Sequence, residues 1–312
     1  MIDSGPRGPL GRVTEYGAGP SQNVHRAEAR DGPSRRRFRL MTEQSGMTTE
    51  DIRSFLTGEN PLLAAQRKRH MRFPTDPRCK MCAAPFAGLG GAAFRMMGFG
   101  QFAGNPSLCK MCITQMRKSG MSGVEIPVSL LFSDVRGSTA MGERMRPTEF
   151  HAFLDHFYRL ASDAILRHGG LVDKIVGDEV IGLFFGGVTG PDHIAAAISA
   201  ALDLAERASR RDATPSGPIP AGTAVHYGEA FVGATGPAGA VDDFTALGDP
   251  VNTTARLASA ARAGEVLVSV AATAAAGTPT DALERRTVEI RGRSEPLEVV
   301  VLRAGVEAAV AA

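Results

Sequence analysis

Residues Leu130-Leu131-Phe132-Ser133-Asp134-Val135-Arg136-Gly137-Ser138-Thr139 most narrow what this chain can fold into. Val128 to Phe132 is a short apolar run with the β-branched and aromatic bias of a buried strand. It ends in Ser-Asp, passes through a Gly-Ser-Thr turn, and leads into Ala140–Met145, a candidate helix start. A carboxylate at the C-terminal end of a strand, followed by small residues opening a helix, suits a polyphosphate and its metal. Free N–H groups at the helix start meet phosphate oxygens, while the Asp holds a hard cation through oxygen. Taken alone, the same residues describe an Asp capping an ordinary strand-to-helix turn.

At 312 residues the chain has room for one sizeable domain and a smaller one. A formal charge of +2 is too small to imply a nucleic-acid partner. No apolar run approaches the roughly 18–20 residues of a membrane span. The N-terminus lacks the apolar core of a signal peptide, so a cytoplasmic location is expected. Residues 1–46 are rich in Gly, Pro, Arg and Ser without hydrophobic period and are expected to be a disordered tail, with Met41 or Met47 as alternative starts. Residues 47–72 read as short helices: Thr48 with Asp51 caps the first, which ends near Gly58. Asn60-Pro61 supplies N-cap and first position of the second, which runs to about Met71.

All four cysteines lie between residues 79 and 112, which points to one local site. Cys79-Lys80-Met81-Cys82 and Cys109-Lys110-Met111-Cys112 are identical tetrads 26 residues apart. Two CxxC turns bring four thiolates to one tetrahedral ion, so residues 73–120 are expected to be a four-Cys metal module. Structural zinc is the first expectation and an iron–sulfur cluster the second, because the loop exceeds the commonest zinc spacing. Disulfides are the weaker alternative in a reducing cytoplasm. The intervening Gly88–Gly104 segment is too glycine-rich to promise much core, which makes a metal staple reasonable. Between Pro61 and Gly120 ten Lys/Arg face one acidic residue, Asp76. Without interleaved aromatics this reads as a solvated basic surface, and nucleic acid is not the expected partner.

The larger domain is expected over residues 126–304, followed by a short tail at 305–312. Pro147 opens a helix on which Phe150, Phe153, Leu154, Phe157, Ala161, Ala164 and Ile165 recur at helical spacing, and Gly169-Gly170 ends it. Leu171–Val176 and Val180–Phe185 are strands flanking Gly177-Asp178-Glu179, where Gly at a two-residue turn supplies the positive φ of a type II′ hairpin. Pro191 opens an Ala-rich amphipathic helix to about Arg211. Gly222–Gly233 reads as a second hairpin, with His226 a packed strand histidine. Thr245–Pro250 leads into a helix from Val251 to about Ala261, on which Asn252 and Arg256 share a face. Strands at Glu265–Val270, Thr287–Arg291 and Leu297–Leu302 complete an α+β sandwich, one mixed sheet with packed helices.

FSDVRGST at 132–139, DKIVGDEVIGLF at 173–184 and LGDPVNTTARL at 247–257, in that order, resemble the catalytic domain of the class III nucleotidyl cyclases. The resemblance covers about residues 126–303 and implies their ferredoxin-like βαββαβ core. It implies that Asp134 and Asp178 hold two Mg²⁺ or Mn²⁺ ions. A two-metal clamp would lower the pKa of the ribose 3′-hydroxyl and neutralise charge on the α-phosphate and the leaving pyrophosphate. It further implies that Asn252 orients the ribose, that Arg256 binds the α-phosphate as charge builds, and that Arg291 contacts the pyrophosphate.

Lys174 falls where adenylyl cyclases resemble one another in carrying an adenine-reading lysine. Its ammonium donates to adenine N1, whereas guanine, protonated there, wants an acceptor. At the second base-reading position the family commonly has Asp; here it is Thr245, as in the bicarbonate-responsive branch. These residues together imply an adenylate cyclase that takes ATP and works as a homodimer. One chain supplies Asp134 and Asp178 to each site, and the other supplies Lys174, Thr245, Asn252 and Arg256. A guanylate cyclase is the nearest alternative. An inactive cyclase-like module beside a zinc-dependent binding domain is another. Gly177-Asp178-Glu179 superficially fits a diguanylate cyclase, which leaves Lys174, Asn252 and Arg256 unexplained.

Overall fold

The computed structural model of the chain describes residues 48–118, 123–236, 243–290 and 295–304. The expected tails at 1–46 and 305–312 lie outside the described residues, and so does Arg291. Helix α1 (Thr49–Thr57) begins with the anticipated reciprocal cap. The Thr48 hydroxyl accepts from the Asp51 N–H at 3.2 Å, and the Asp51 carboxylate accepts from the Thr48 N–H at 2.8 Å. The chain leaves α1 through Gly58 at φ +83°. Helix α2 (Pro61–His70) starts with Asn60 Oδ1 accepting from the N–H groups of Leu62 and Leu63.

The Gly-rich stretch builds more core than its composition promises. It forms α3 (Gly88–Met96), followed by the short hairpin β1 (Gln101–Phe102) and β2 (Asn105–Cys109) and then α4 (Lys110–Lys118). Phe94, Phe99 and Phe102 are buried, and the rings of Phe94 and Phe99 meet His70 edge-on at 4.8 and 5.3 Å. Glycine lowers helix propensity but does not remove the apolar area of three phenylalanines. Several basic residues of this region turn inward. Arg67 donates to the carbonyl oxygens of Lys80 and Met81, Arg78 to those of His70, Phe73 and Ala83, and Lys80 to that of Leu166.

The remaining elements are β3 (Gly123–Val135), α5 (Ser138–Arg144), α6 (Pro147–Arg167), β4 (Leu171–Val176), β5 (Glu179–Phe184) and α7 (Gly186–Thr189). They continue with α8 (His193–Ser209), β6 (Ala221–Thr235), β7 (Asp243–Leu247), α9 (Asp249–Ala260), β8 (Glu265–Ser269), α10 (Val270–Ala275), β9 (Glu284–Val288) and β10 (Leu297–Arg303). The sheet runs β4-β5-β3-β6-β8-β10-β9, with β7 branching from β6. β3, α6, β4, β5, α8 and β6 make the βαββαβ core, antiparallel in the order β4-β5-β3-β6. The β6–β8 pairing is parallel, so the sheet is mixed, as expected.

Alternation along β3 divides the core. Ile126, Val128, Leu130 and Phe132 face one layer, together with α1, α9 and the cysteine region. Leu131 and Val135 face the other, where Phe153, Phe157 and Ile165 of α6 meet Ile198 and Leu204 of α8. Two expected elements differ. Gly222–Gly233 is not a hairpin but part of the continuous strand β6, and the antiparallel partner that follows is β7. Gly228 stays extended within it; a Cβ there would lie 2.9 Å from Pro250 Cγ, so the glycine serves close approach of α9 rather than a turn. The strand expected at Thr287–Arg291 is β9, which begins earlier and stops at Val288. Among the described residues no helix is long and apolar enough to cross a membrane.

Candidate active site and metal centre

Asp134 arrives at the end of β3, where it pairs in register with Glu179 at the start of β5. Gly177 adopts φ +61° at the β4–β5 tip, as a two-residue turn requires. That turn is held against β3 by a hydrogen bond from the Val135 N–H to the Asp178 carbonyl at 3.2 Å, and the Tyr158 hydroxyl donates to the Gly177 carbonyl. Three carboxyl groups, Asp134, Asp178 and Glu179, therefore converge where two strand ends meet a hairpin.

Their electrostatics are those of a crowded anionic site. Burial, with Asp178 alongside, pushes the Asp134 carboxyl up to about 6 despite the opposing Arg136. Burial, and then the charges of Asp134 and Asp178, pushes Glu179 up to about 7. Burial acts in the same direction on Asp178, but the neighbouring Asp134 and Ser138 side chains, with Arg136 nearby, outweigh it and hold its carboxyl below the usual range. Arg136 pairs with Asp134 and also donates to the Ser259 carbonyl at 2.7 Å, tying the β3 end to α9. Asp134 Oδ1 is buried without a hydrogen-bond partner. An acceptor-only oxygen left bare beside two further carboxylates fits a hard divalent cation bound through oxygen.

A second constellation lies on the same hairpin and on β7. Lys174 of β4 pairs with Asp243, and Thr245, two residues along β7 and buried, donates to Asp173 Oδ2 at 2.9 Å. Asn252 and Arg256 lie exposed on α9, in its first and second turns, directly after β7. The structure thus brings Asp134 together with Asp178, and Lys174 together with Thr245. The sequence alone assigns no role in these constellations to Glu179, Asp243, Arg136 or Asp173. Three of the four sit inside or beside quoted motifs, and acidic residues at the ends of apolar strands were the available signal.

The four cysteines are buried and free, and their sulfurs all lie within 4.8 Å of one another. Cys79 Sγ is 3.9 Å from Cys112 Sγ, and Cys82 Sγ is 3.6 Å from Cys109 Sγ. Metal–sulfur bonds of about 2.3 Å in a tetrahedron give edges of about 3.8 Å, so this donor set fits a single four-coordinate ion. The N–H groups of Cys109 and Cys112 donate to Cys79 Sγ and Cys109 Sγ, the arrangement that supports thiolates. Burial raises Cys79, but its neighbours' thiols outweigh this and hold it low, while Cys109 first, and then Cys79, push Cys82 and Cys112 up. His226 is the packed histidine expected, with Nδ1 2.8 Å from Ser269 Oγ.

A mixed sheet with a βαββαβ core and acidic residues at its strand ends defines a class, and comparison with known proteins bears directly on it. Residues 124–303 match the adenylate and guanylate cyclase catalytic domain, and the chain belongs to that family. An adenylate cyclase of Anabaena cylindrica is 27% identical over 206 residues, covering 62% of this chain and 41% of the relative. An uncharacterized protein of Mycobacterium tuberculosis is 30% identical over 189 residues, covering 59% of this chain and 34% of the relative. The chain thus spans well under half the length of these curated relatives. Among solved structures, the guanylyl cyclase Cya2 aligns with a TM-score of 0.54 at 26% identity, over 61% of this chain and 98% of that one. The adenylyl cyclase CyaB from P. aeruginosa aligns at 0.51 and 26%, over 59% and 97%.

Proposed function

We propose that this chain is an adenylate cyclase that converts ATP to 3′,5′-cyclic AMP and pyrophosphate in cyclic-nucleotide signalling. The observation that carries the reading is the convergence of Asp134, Asp178 and Glu179 around a buried, unpartnered carboxylate oxygen. Asp134 and Asp178 would hold two Mg²⁺ or Mn²⁺ ions, which supply acidification of the ribose 3′-hydroxyl and neutralisation of phosphate charge. Asn252 orients the ribose, Arg256 binds the α-phosphate as its charge grows, and Arg291 contacts the pyrophosphate. Lys174 donates to adenine N1, and Thr245 accepts from the adenine amino group. Threonine at that position is the feature by which the chain resembles the bicarbonate-responsive branch.

Each site is shared between two copies. Lys174 and Asp178 are four residues apart on one hairpin yet serve opposite ends of the nucleotide, which a two-fold dimer resolves. Ile175, Val176 and Leu247 support this, since they are exposed aliphatics beside the base-reading residues and suit coverage by a second copy. In the cysteine module the ion is zinc, one per chain. An iron–sulfur cluster must fit its own iron and sulfide between the thiolates, and sulfurs within 4.8 Å of one another favour a mononuclear site. A set of four reduced thiolates suits the cytoplasm.

Incubation with ATP or GTP and Mn²⁺ tests the function. Cyclic AMP is expected to form faster than cyclic GMP at equal substrate; the reverse order would make the chain a guanylate cyclase. Elemental analysis of the purified protein is expected to give about one zinc per chain. A brown protein containing iron would replace that assignment.

A further inference from the structure

On β4, Asp173 interrupts the regular pairing. Val172 opposes Gly182 of β5 and Lys174 opposes Ile181, so Asp173 is the extra residue of a β-bulge. A bulge re-aims the side chain it carries, and here the Asp173 carboxyl turns inward, with its side chain 4% exposed. Oδ2 accepts from the Thr245 hydroxyl at 2.9 Å. Oδ1 is buried with no hydrogen bond and lies 3.7 Å from Lys174 Nζ. Lys174 also pairs with Asp243, the other charged group of this cluster. Burying a carboxylate is costly, and here the Thr245 hydroxyl and the Lys174 ammonium are the groups that offset it.

The direction of the Thr245–Asp173 hydrogen bond has a chemical consequence. A threonine hydroxyl has one proton to give and two lone pairs to offer. An ionised carboxylate only accepts, so the shared proton belongs to Thr245 and is committed to Asp173. The other contact open to that hydroxyl, the Ala246 carbonyl at 3.4 Å, is longer and would engage the same proton. Toward a ligand, Thr245 then offers lone pairs alone. Burial raises the Asp173 carboxyl to about 6 against the opposing charge of Lys174, which leaves it ionised at neutral pH.

Adenine presents an amino donor next to an unprotonated ring nitrogen. Guanine presents a carbonyl acceptor next to a protonated one. A lysine donor beside a hydroxyl restricted to accepting matches adenine at both positions and opposes guanine at both. We propose that Asp173 is a specificity-determining positioning residue: held in the bulge, it fixes the Thr245 hydroxyl as an acceptor and so turns the pocket against guanine. This rests on the assignment of Lys174 and Thr245 as the base-reading pair.

The test measures binding of 3′-deoxy-ATP and 3′-deoxy-GTP with Mn²⁺ by calorimetry, together with kcat and KM for ATP and GTP. The proteins are wild type, D173N, T245V, T245S and the D173N/T245V double variant. D173N is expected to lower the ATP:GTP preference about tenfold or more, in binding and in kcat/KM, with KM moving more than kcat. T245S keeps the hydroxyl and is expected to keep the preference. In the T245V background, D173N is expected to change the preference no further, because the group it acts through is gone. Should D173N not fold, judged by thermal melting, Asp173→Ser carries the same expectation. Equal weakening of both nucleotides, an unchanged preference, or an effect that persists in T245V would overturn the inference. A wild type that prefers GTP would remove the base-reading assignment and this inference together. An ATP-preferring wild type with a D173N that keeps the full wild-type ATP:GTP ratio would remove the inference alone.

Discussion

Glu179 shows how a side chain that sequence reading passed over can dominate local electrostatics. It lies next to Asp178, opposes Asp134 across the strands, and is pushed up to about 7 by burial and those two charges. In the unfolded chain a glutamate titrates near 4.3, so between that value and 7 the folded protein binds the extra proton. Stability contributed by this group therefore falls as pH rises through the window. Glu179→Gln removes the titration. Its melting temperature is expected to match wild type near pH 4 and to exceed it by pH 8 in metal-free buffer, with the gap shrinking when Mn²⁺ is added. A gap independent of pH would mean that Glu179 does not share the field of Asp134 and Asp178. Those two aspartates were legible because each sits at a strand end inside a recognisable motif. Asp173 and Asp243 were not: their roles depend on a bulge and on pairing across some 70 residues, and neither leaves a local trace.

Local rules served well for elements whose signals are contained in a few residues. The capped starts of α1 and α2 and the Gly177-Asp178 turn follow from side chains adjacent in sequence. β6 was misread because Gly228-Glu229 looks like a turn when the helix packed over it is invisible. Only Pro250, 22 positions away, explains why that residue has no side chain. Gly228→Ala would place its Cβ 2.9 Å from the Pro250 ring. Overpacking of this kind costs roughly 1–3 kcal/mol, and α9 can give way more readily than the centre of the sheet. The variant is expected to melt lower and to lose turnover more than nucleotide binding, since α9 carries Asn252 and Arg256. Unchanged kcat and melting temperature would show that the helix seat is loose.

At the scale of the whole molecule, the proposed sharing of sites between two copies makes a quantitative demand. Asp134→Ala and Asn252→Ala are each expected to be inactive. Mixed with free exchange, about half the dimers pair one variant with the other, each with one intact and one doubly broken site, and roughly one quarter of wild-type activity returns. No recovery despite proven exchange would mean that each site is built from one chain or that the two sites are coupled. The matched family begins at residue 124, yet the apolar face of β3 is covered from outside it. Ile52 and Leu56 of α1 lie in the same core as Val128 and Leu130. Polar contacts cross the same boundary: Lys80 donates to the Leu166 carbonyl and Asn105 to that of Val172, the residue just before the bulge. Residues 48–118 are thus a wall of the catalytic sheet rather than an attachment to it. A fragment cut at the family's edge would expose to water the β3 face that Ile52 and Leu56 cover, so it is expected to melt below the longer chain even where its catalytic residues are all present.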